Sequence, residues 1–313
     1  MNNNKKLVSI VVPIYNEVDM IHEIYDRVNN VFNELPDYDY ELVFFDDGSS
    51  DGTCKKIEDL SEIHPNVKGV FYSKNFGYIK NTFYAVQQAK GDCAFLLHAD
   101  LQNPPELIPE FLKKWENGAQ VVLGIKNKSK ENKFMYFLRS VFYFIIIHIF
   151  GVEIEAHATE FELFDKSFVE ILRGIKISKP FLRKIIIDYS SNIDRVYYTQ
   201  NKRKKGKSKF NLNKYYDFAL CGIIQYSTRI PRKLILLNII GLLSMAIEFL
   251  FILLPELKIM TAIEISNSLL IRLILAGIMV TGIVLAFIIE YAIFIVGNCG
   301  EMPMIVERKR INY

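Results

Sequence analysis

A chain of 313 residues with a formal net charge of +3 and a mean hydropathy of +0.15 has room for one domain of about 200 residues plus something else. Half of its residues are hydrophobic, an excess for a water-soluble enzyme and one concentrated in the last third. Four scattered cysteines, Cys54, Cys93, Cys221 and Cys299, lack metal spacing; they argue against a zinc site or a disulfide framework and for reduced thiols in a cytosolic setting.

The opening Met1-Asn2-Asn3-Asn4-Lys5-Lys6 leads into an apolar run too short, and too soon interrupted by Pro13, for a secretory signal, so the N-terminal domain is expected in the cytosol. Residues 7–125 then alternate apolar runs of strand length with amphipathic stretches. The runs 8–14, 41–45, 69–72, 93–97 and 120–124 predict strands, and patterns centred on 20–32, 53–63, 80–88 and 106–115 predict helices. Such alternation is the signature of βαβ units and a parallel sheet. Polar residues of ligand type follow several of the strands: Asn16-Glu17, Asp46-Asp47-Gly48-Ser49, Ser73-Lys74-Asn75, then His98 and Asp100. In open parallel sheets ligands bind outside the carboxyl ends of the strands, so one cleft can collect them all.

Two of these stretches carry chemistry. In His98-Ala99-Asp100-Leu101-Gln102-Asn103-Pro104-Pro105, Asp100 and Gln102 stand two residues apart and can face one hard cation such as Mg²⁺ or Mn²⁺. The alternative is a plain strand-to-helix turn with an aspartate cap. In Asp46-Asp47-Gly48-Ser49-Ser50-Asp51-Gly52-Thr53, a carboxylate pair precedes a glycine turn and a helix start. Aspartate accepts hydrogen bonds from a nucleobase imide or ribose hydroxyls, while Ser and Thr cap the next helix; Asx-turn chemistry without a ligand is the competing reading.

From residue 127 to 133 the chain turns polar and basic, and 134–150 is very apolar with Arg139, Ser140 and His148 embedded. A crossing there would split one catalytic unit across a membrane, so an interfacial or buried helix fits better. Its aromatic residues, Phe134, Tyr136, Phe137, Phe142, Tyr143 and Phe144, read as packing and interfacial anchoring. Residues 153–213 return to mixed composition and end in Lys202-Arg203-Lys204-Lys205-Gly206-Lys207-Ser208-Lys209-Phe210.

Two apolar runs follow, 234–254 and 273–289, each long enough to cross a hydrocarbon core of ~30 Å at 1.5 Å per residue. The intervening 255–272 carries two basic residues, whereas the stretch at 202–209, Arg229, Arg232, Lys233 and Arg308-Lys309-Arg310 lie on the other side. The positive-inside rule places both termini in the cytoplasm and makes the spans a hairpin. Glu248, inside the first span, is expected near the outer interface or packed on another helix. The expected divisions are an α/β core at 1–133, a second half of the same domain with juxtamembrane amphipathic helices at 134–233, the hairpin with its inner juxtamembrane segment at 234–300, and a cytosolic tail at 301–313.

The ordered set PIYNE at 13–17, DDGSSDGT at 46–53, SKNFG at 73–77 and ADLQNPPE at 99–106 resembles glycosyltransferase family 2 with its GT-A, Rossmann-like α/β fold. KGKSKF at 205–210 and the terminal spans extend the resemblance to the polyprenyl-phosphate glycosyltransferases, bacterial relatives of dolichol-phosphate mannose synthase, over nearly the whole chain. It implies that Pro13, Tyr15, Glu17 and Asp47 line the nucleotide, with Asp46 in support and Lys74 and His98 nearby. Asp100 and Gln102 would hold Mg²⁺ or Mn²⁺ on the diphosphate. Arg203, Lys207, Ser208 and Lys209 would take phosphate oxygens of donor or lipid acceptor; attraction to anionic lipid is the other role for that stretch.

The sequence departs from the family pattern at several positions. Relatives show DAD where this chain has His98-Ala99-Asp100, which removes one negative charge from the metal site. Asn103 stands in place of Asp, as in aminosugar-transferring relatives. Where relatives show AGDFRL, the chain has Ala158-Thr159-Glu160-Phe161-Glu162-Leu163: Glu160 takes the place of the base, Glu162 replaces a basic residue, and His157 replaces Asp. The competing reading makes Glu160 a surface carboxylate before a strand.

The resemblance therefore implies a membrane-anchored, metal-dependent inverting transferase of hexosyl type, with Asp100, Glu160 and Arg203 at the chemistry. It would move a sugar from a UDP-linked donor to a polyisoprenyl phosphate at the cytoplasmic face of a bacterial plasma membrane, in service of cell-envelope polysaccharide. A homo-oligomer, a tetramer, is expected by the same resemblance, and no nucleic-acid partner. A family 2 transferase acting on another lipid or lipid-linked glycan, and a non-catalytic scaffold that binds nucleotide sugar, are the alternatives.

Overall fold

The computed structural model describes residues 5–129, 144, 147–148, 151, 155, 158–177, 180–201, 233, 236, 239–240, 243, 267–298 and 303–313. Its strands are β1 (Lys6–Ile14), β2 (Tyr38–Asp46), β3 (Val67–Tyr72), β4 (Cys93–Leu96), β5 (Val121–Ser129), β6 (Ala158–Asp165), β7 (Ile193–Gln200) and β8 (Glu307–Ile311). Its helices are α1 (Ile21–Asn33), α2 (Thr53–Ile63), α3 (Tyr78–Gln87), α4 (Ile108–Glu116), α5 (Lys166–Gly174), α6 (Leu182–Tyr189) and α7 (Asn267–Asn298). The elements expected over 7–125 are all present, with ends shifted by a few residues except where β5 runs on to Ser129.

The chain divides into two compact units, one of Met1–Tyr143, Glu153–Asp217 and Glu301–Tyr313, the other of Phe144–Val152 and Phe218–Gly300. In the first, eight strands form one sheet in the order β7-β5-β6-β4-β1-β2-β3-β8. Strands β4, β1, β2 and β3 are parallel neighbours. Their apolar runs do not alternate because both faces are covered. On one face Ile10, Val12 and Phe44 pack with Ile24, Ile57 and Phe111 of α1, α2 and α4; on the other Val11, Val43 and Phe45 pack with Val86, Phe168 and Ile185 of α3, α5 and α6. Phe95 meets Phe111 and Phe161 edge to face at 5.1 and 5.0 Å, worth about 0.5–1.5 kcal/mol per pair beyond the area buried.

Two strands make the sheet mixed rather than parallel. Strand β6 inserts between β4 and β5, antiparallel to both, with Glu162 opposite Leu96 on one side and Leu123 on the other. Its reversed direction brings its first residues, Ala158–Glu160, to the edge where the neighbouring strands end. The sheet thus runs on past the division expected at 133/134. Strand β8 pairs antiparallel with β3, so residues 307–311, within the stretch expected as a tail, supply the far edge of the sheet. Asn312 Nδ2 donates to the carbonyls of Ser61 and Val67 at 2.7 and 3.1 Å, and the Tyr313 ring carries Lys90 Nζ 4.0 Å from its centroid.

In the second unit, the later apolar run falls within the 32-residue helix α7. Among the described residues, no helix is long and apolar enough to cross a membrane. Most of the earlier run, 234–254, lies outside the described residues, as do nearly all of 134–150 and all of 202–210.

Candidate active site

The site begins with two loops stitched together at the carboxyl ends of β1 and β2. The Asn16 N–H donates to Ser49 Oγ at 2.7 Å, Ser50 N–H to Asn16 Oδ1 at 2.8 Å, and Glu17 N–H to Thr53 Oγ1 at 3.2 Å. Asn16 adopts a left-handed backbone (φ 51°), which asparagine tolerates better than most residues. The Ser and Thr side chains expected to cap α2 are spent on this stitching, and the N-cap position is Gly52 with no side-chain bond. Pro13 is half-buried near the end of β1, and Tyr15, 37% exposed, and the half-buried Glu17 follow it.

The two aspartates face inward. Asp46 is fully buried, its Oδ2 accepting from the Ser49 amide at 3.1 Å and the Cys54 thiol at 2.9 Å. Asp47, 2% exposed, accepts from the Phe76 and Gly77 amides at 2.6 and 2.9 Å. Burial pushes the Asp47 carboxyl up to about 6 even though those two amides pull it down. Asp46 thus braces its own loop through Ser49 and Cys54, and Asp47 anchors the 73–77 loop. The loops are in contact through Gly48, whose φ is +72° and where an added Cβ would lie 2.8 Å from the Lys74 carbonyl carbon. Lys74 itself is exposed, with its ammonium 5.4 Å from the centre of the Phe76 ring.

After β4, Leu101 takes φ 50°, a left-handed conformation that costs a leucine roughly 1–2 kcal/mol. It turns the chain so that the Gln102 amide donates to Asp100 Oδ1 at 3.2 Å. The turn is tied to β7 and its end: the Tyr198 hydroxyl donates to Asn103 Oδ1 at 2.7 Å and lies 2.8 Å from Thr159 Oγ1. Proline opens the next helix through a single 3₁₀ turn, Pro105–Leu107, ahead of α4. Asp100 caps no helix. Asp100 and Gln102 supply hard oxygen donors of the kind Mg²⁺ and Mn²⁺ take, although among the described residues no set of three His, Cys, Asp or Glu side chains converges on a metal.

Glu160 lies beside this turn because β6 runs backward. It is 8% exposed, which removes the surface-carboxylate reading. The Tyr78 hydroxyl donates to its Oε2, and Arg183 Nε stands 3.8 Å from Oε1. The Tyr78 ring also stacks on His98, with centroids 6.0 Å apart and planes at 19°. Tyr78, Arg183 and Tyr198 were not expected at the site. Tyr78 had one local signal, its place directly after the SKNFG stretch; Arg183 and Tyr198 had none.

The structure thus brings Asp46, Asp47, His98, Asp100, Gln102 and Glu160 to one sheet edge with the 15–17 and 73–77 loops. Arg203, Lys207, Ser208 and Lys209 lie outside the described residues.

The profile of the family described as glycosyl transferase family 2 matches residues 9–172. An uncharacterized glycosyltransferase, YkcC of Bacillus subtilis, is 31% identical over 306 residues, covering 96% of this chain and 93% of that protein. The bactoprenol glucosyl transferase of Shigella phage SfV is 33% identical over 245 residues, 78% of each chain. Among solved structures, glucosyl-3-phosphoglycerate synthase from Mycobacterium tuberculosis aligns with a TM-score of 0.49 at 16% identity, over 70% of this chain and 78% of that one. With the family profile spanning more than half of the chain and relatives above 30% identity over most of it, the chain belongs to glycosyl transferase family 2.

Proposed function

We propose that the chain transfers a sugar, with inversion, from a UDP-linked donor to a polyisoprenyl phosphate at the cytoplasmic face of the membrane. The observation that carries this reading is the convergence of the Asp47-anchored loops, the Asp100–Gln102 turn and Glu160 on one sheet edge. Support for the acceptor comes from the relatives named bactoprenol glucosyl transferase. Support for the membrane comes from the apolar runs 234–254 and 273–289 with their basic flanks, and from Ile278, Leu285 and Ile288 of α7, each more than half exposed.

In this reading Tyr15, Glu17 and the Asp47-anchored loops hold the nucleoside. Asp100 and Gln102 would hold a divalent cation, whose positive charge would offset the negative charge of the leaving diphosphate. The acceptor phosphate is already ionised at neutral pH, so it needs positioning more than deprotonation; Glu160 sets its approach and Arg203, Lys207 and Lys209 clamp its oxygens. Its oxygen then attacks the anomeric carbon opposite the departing diphosphate.

The test is a panel of nucleotide sugars assayed on the purified full-length chain with undecaprenyl phosphate and Mg²⁺ or Mn²⁺. A glycosylated lipid phosphate from one donor is expected. Product formed only with a neutral lipid acceptor overturns the acceptor assignment.

A further inference from the structure

We propose that Tyr78 and Arg183 are positioning residues that hold the Glu160 carboxylate at the transfer site, and that Glu162, behind it in the sheet, is carried as the neutral acid so that the pair presents a single negative charge. The transfer role of Glu160 rests on the function proposed above; the hydrogen bond and the charge state do not.

Glu160 and Glu162 alternate along β6 and so share one face of the sheet. Glu162 is fully buried between Leu96 and Leu123 of the flanking strands, and neither of its carboxyl oxygens has a hydrogen-bond partner. An ionised carboxylate in that position has neither water nor donors to offset its desolvation. Among the described residues, the titratable and charged groups that act on this pair are Glu160 on the same strand, Tyr78 on α3 and Arg183 on α6, with Tyr198 of β7 packed on Thr159 and Phe161 at the other face of the sheet. One cation among them serves two carboxyls, and its guanidinium stands against Glu160. The geometry therefore leaves the charge on Glu160, and the proton on Glu162. In keeping with this, burial and then the Glu160 charge hold the Glu162 carboxyl well above the usual carboxylate range, against the pull of Arg183.

Tyr78 links Glu160 to the rest of the site. It is the first residue of α3, and the two amides just before it are the ones Asp47 holds. Its ring lies on His98 at the start of the Asp100 turn, and its hydroxyl reaches Glu160 across 82 residues of sequence. One side chain thus sets the spacing between the nucleotide loops, the Asp100 turn and Glu160.

Three measurements on the purified full-length chain decide this. First, thermal midpoints of the wild type and Glu162→Gln are compared across pH 5–8. The native state holds the Glu162 proton more tightly than the unfolded chain, so the wild type loses stability as pH rises above the ordinary glutamate value while the amide cannot. The variant should melt higher by a margin that widens with pH; a lower midpoint or a constant margin overturns the neutral acid. Second, Tyr78→Phe, Glu160→Gln and their double variant form a cycle in which the double midpoint shift should be smaller than the sum of the single shifts; additivity overturns the hydrogen bond. Third, Tyr78→Phe should lower kcat about tenfold and leave KM for UDP-sugar within about twofold. An unchanged kcat overturns the positioning role. A wild type that transfers no sugar refutes the proposed function, and the first two measurements still decide the charge state and the bond.

Discussion

Gln102 and Asn201 clasp each other: the Asn201 amide donates to the Gln102 carbonyl at 2.9 Å, and the Gln102 side chain donates to the Asn201 carbonyl at 3.4 Å. The clasp joins the candidate metal turn after β4 to the first residue beyond β7, and the Tyr198–Asn103 hydrogen bond seconds it. Tyr198→Phe leaves the buried Asn103 oxygen without that donor, at a cost of about 1–3 kcal/mol. Denaturant unfolding should show a lower midpoint with an unchanged slope, and calorimetry should show weaker Mn²⁺-dependent UDP binding. A variant with wild-type values in both would separate β7 from the turn.

Gly48→Ala should be costly for two reasons that add. Its left-handed φ of +72° strains any residue with a Cβ by roughly 1–2 kcal/mol, and the new carbon meets Lys74 backbone rather than a side chain that can swing away. A thermal midpoint several degrees lower is expected. Weaker UDP binding should accompany it, since the 73–77 loop must retreat.

Asp100→Ala is expected to abolish sugar transfer, and His98→Asp to keep or raise Mn²⁺ affinity by restoring a negative charge beside the turn. Titration of Mn²⁺ in the presence of UDP measures the second effect separately from the first. Turnover by Asp100→Ala at the wild-type rate would defeat the assignment.

Asp47 gives a pH signature. Its native value of about 6 lies above the ordinary 3.8, so the folded chain binds that proton more tightly and stability falls as pH rises between those values. Asp47→Asn loses an acceptor at every pH but cannot titrate. Its unfolding free energy should gain on the wild type by an amount on the order of 3 kcal/mol from pH 3.5 to 6.5 and then hold level. A difference that does not change with pH would mean that the carboxylate stays solvated.

The sequence by itself determined β1 to β5, the helices between them and the edge at which ligand-type residues gather. Those features are local: apolar runs too long to alternate mark strands buried on both faces, and each βαβ unit delivers the residues after its strand to the same side. The family was legible for the same reason, because each of its motifs is contiguous. Only the tertiary structure decided that β6 inserts in reverse between β4 and β5 and that β8 returns to pair with β3, since strand pairing is chosen among distant partners that no local pattern names. That choice buried Glu160 against Tyr78 and Arg183 and set Glu162 between two leucines. A carboxylate's surroundings depend on what packs over it, and here those groups come from α3 and α6, elements that flank β6 on either side in the sequence.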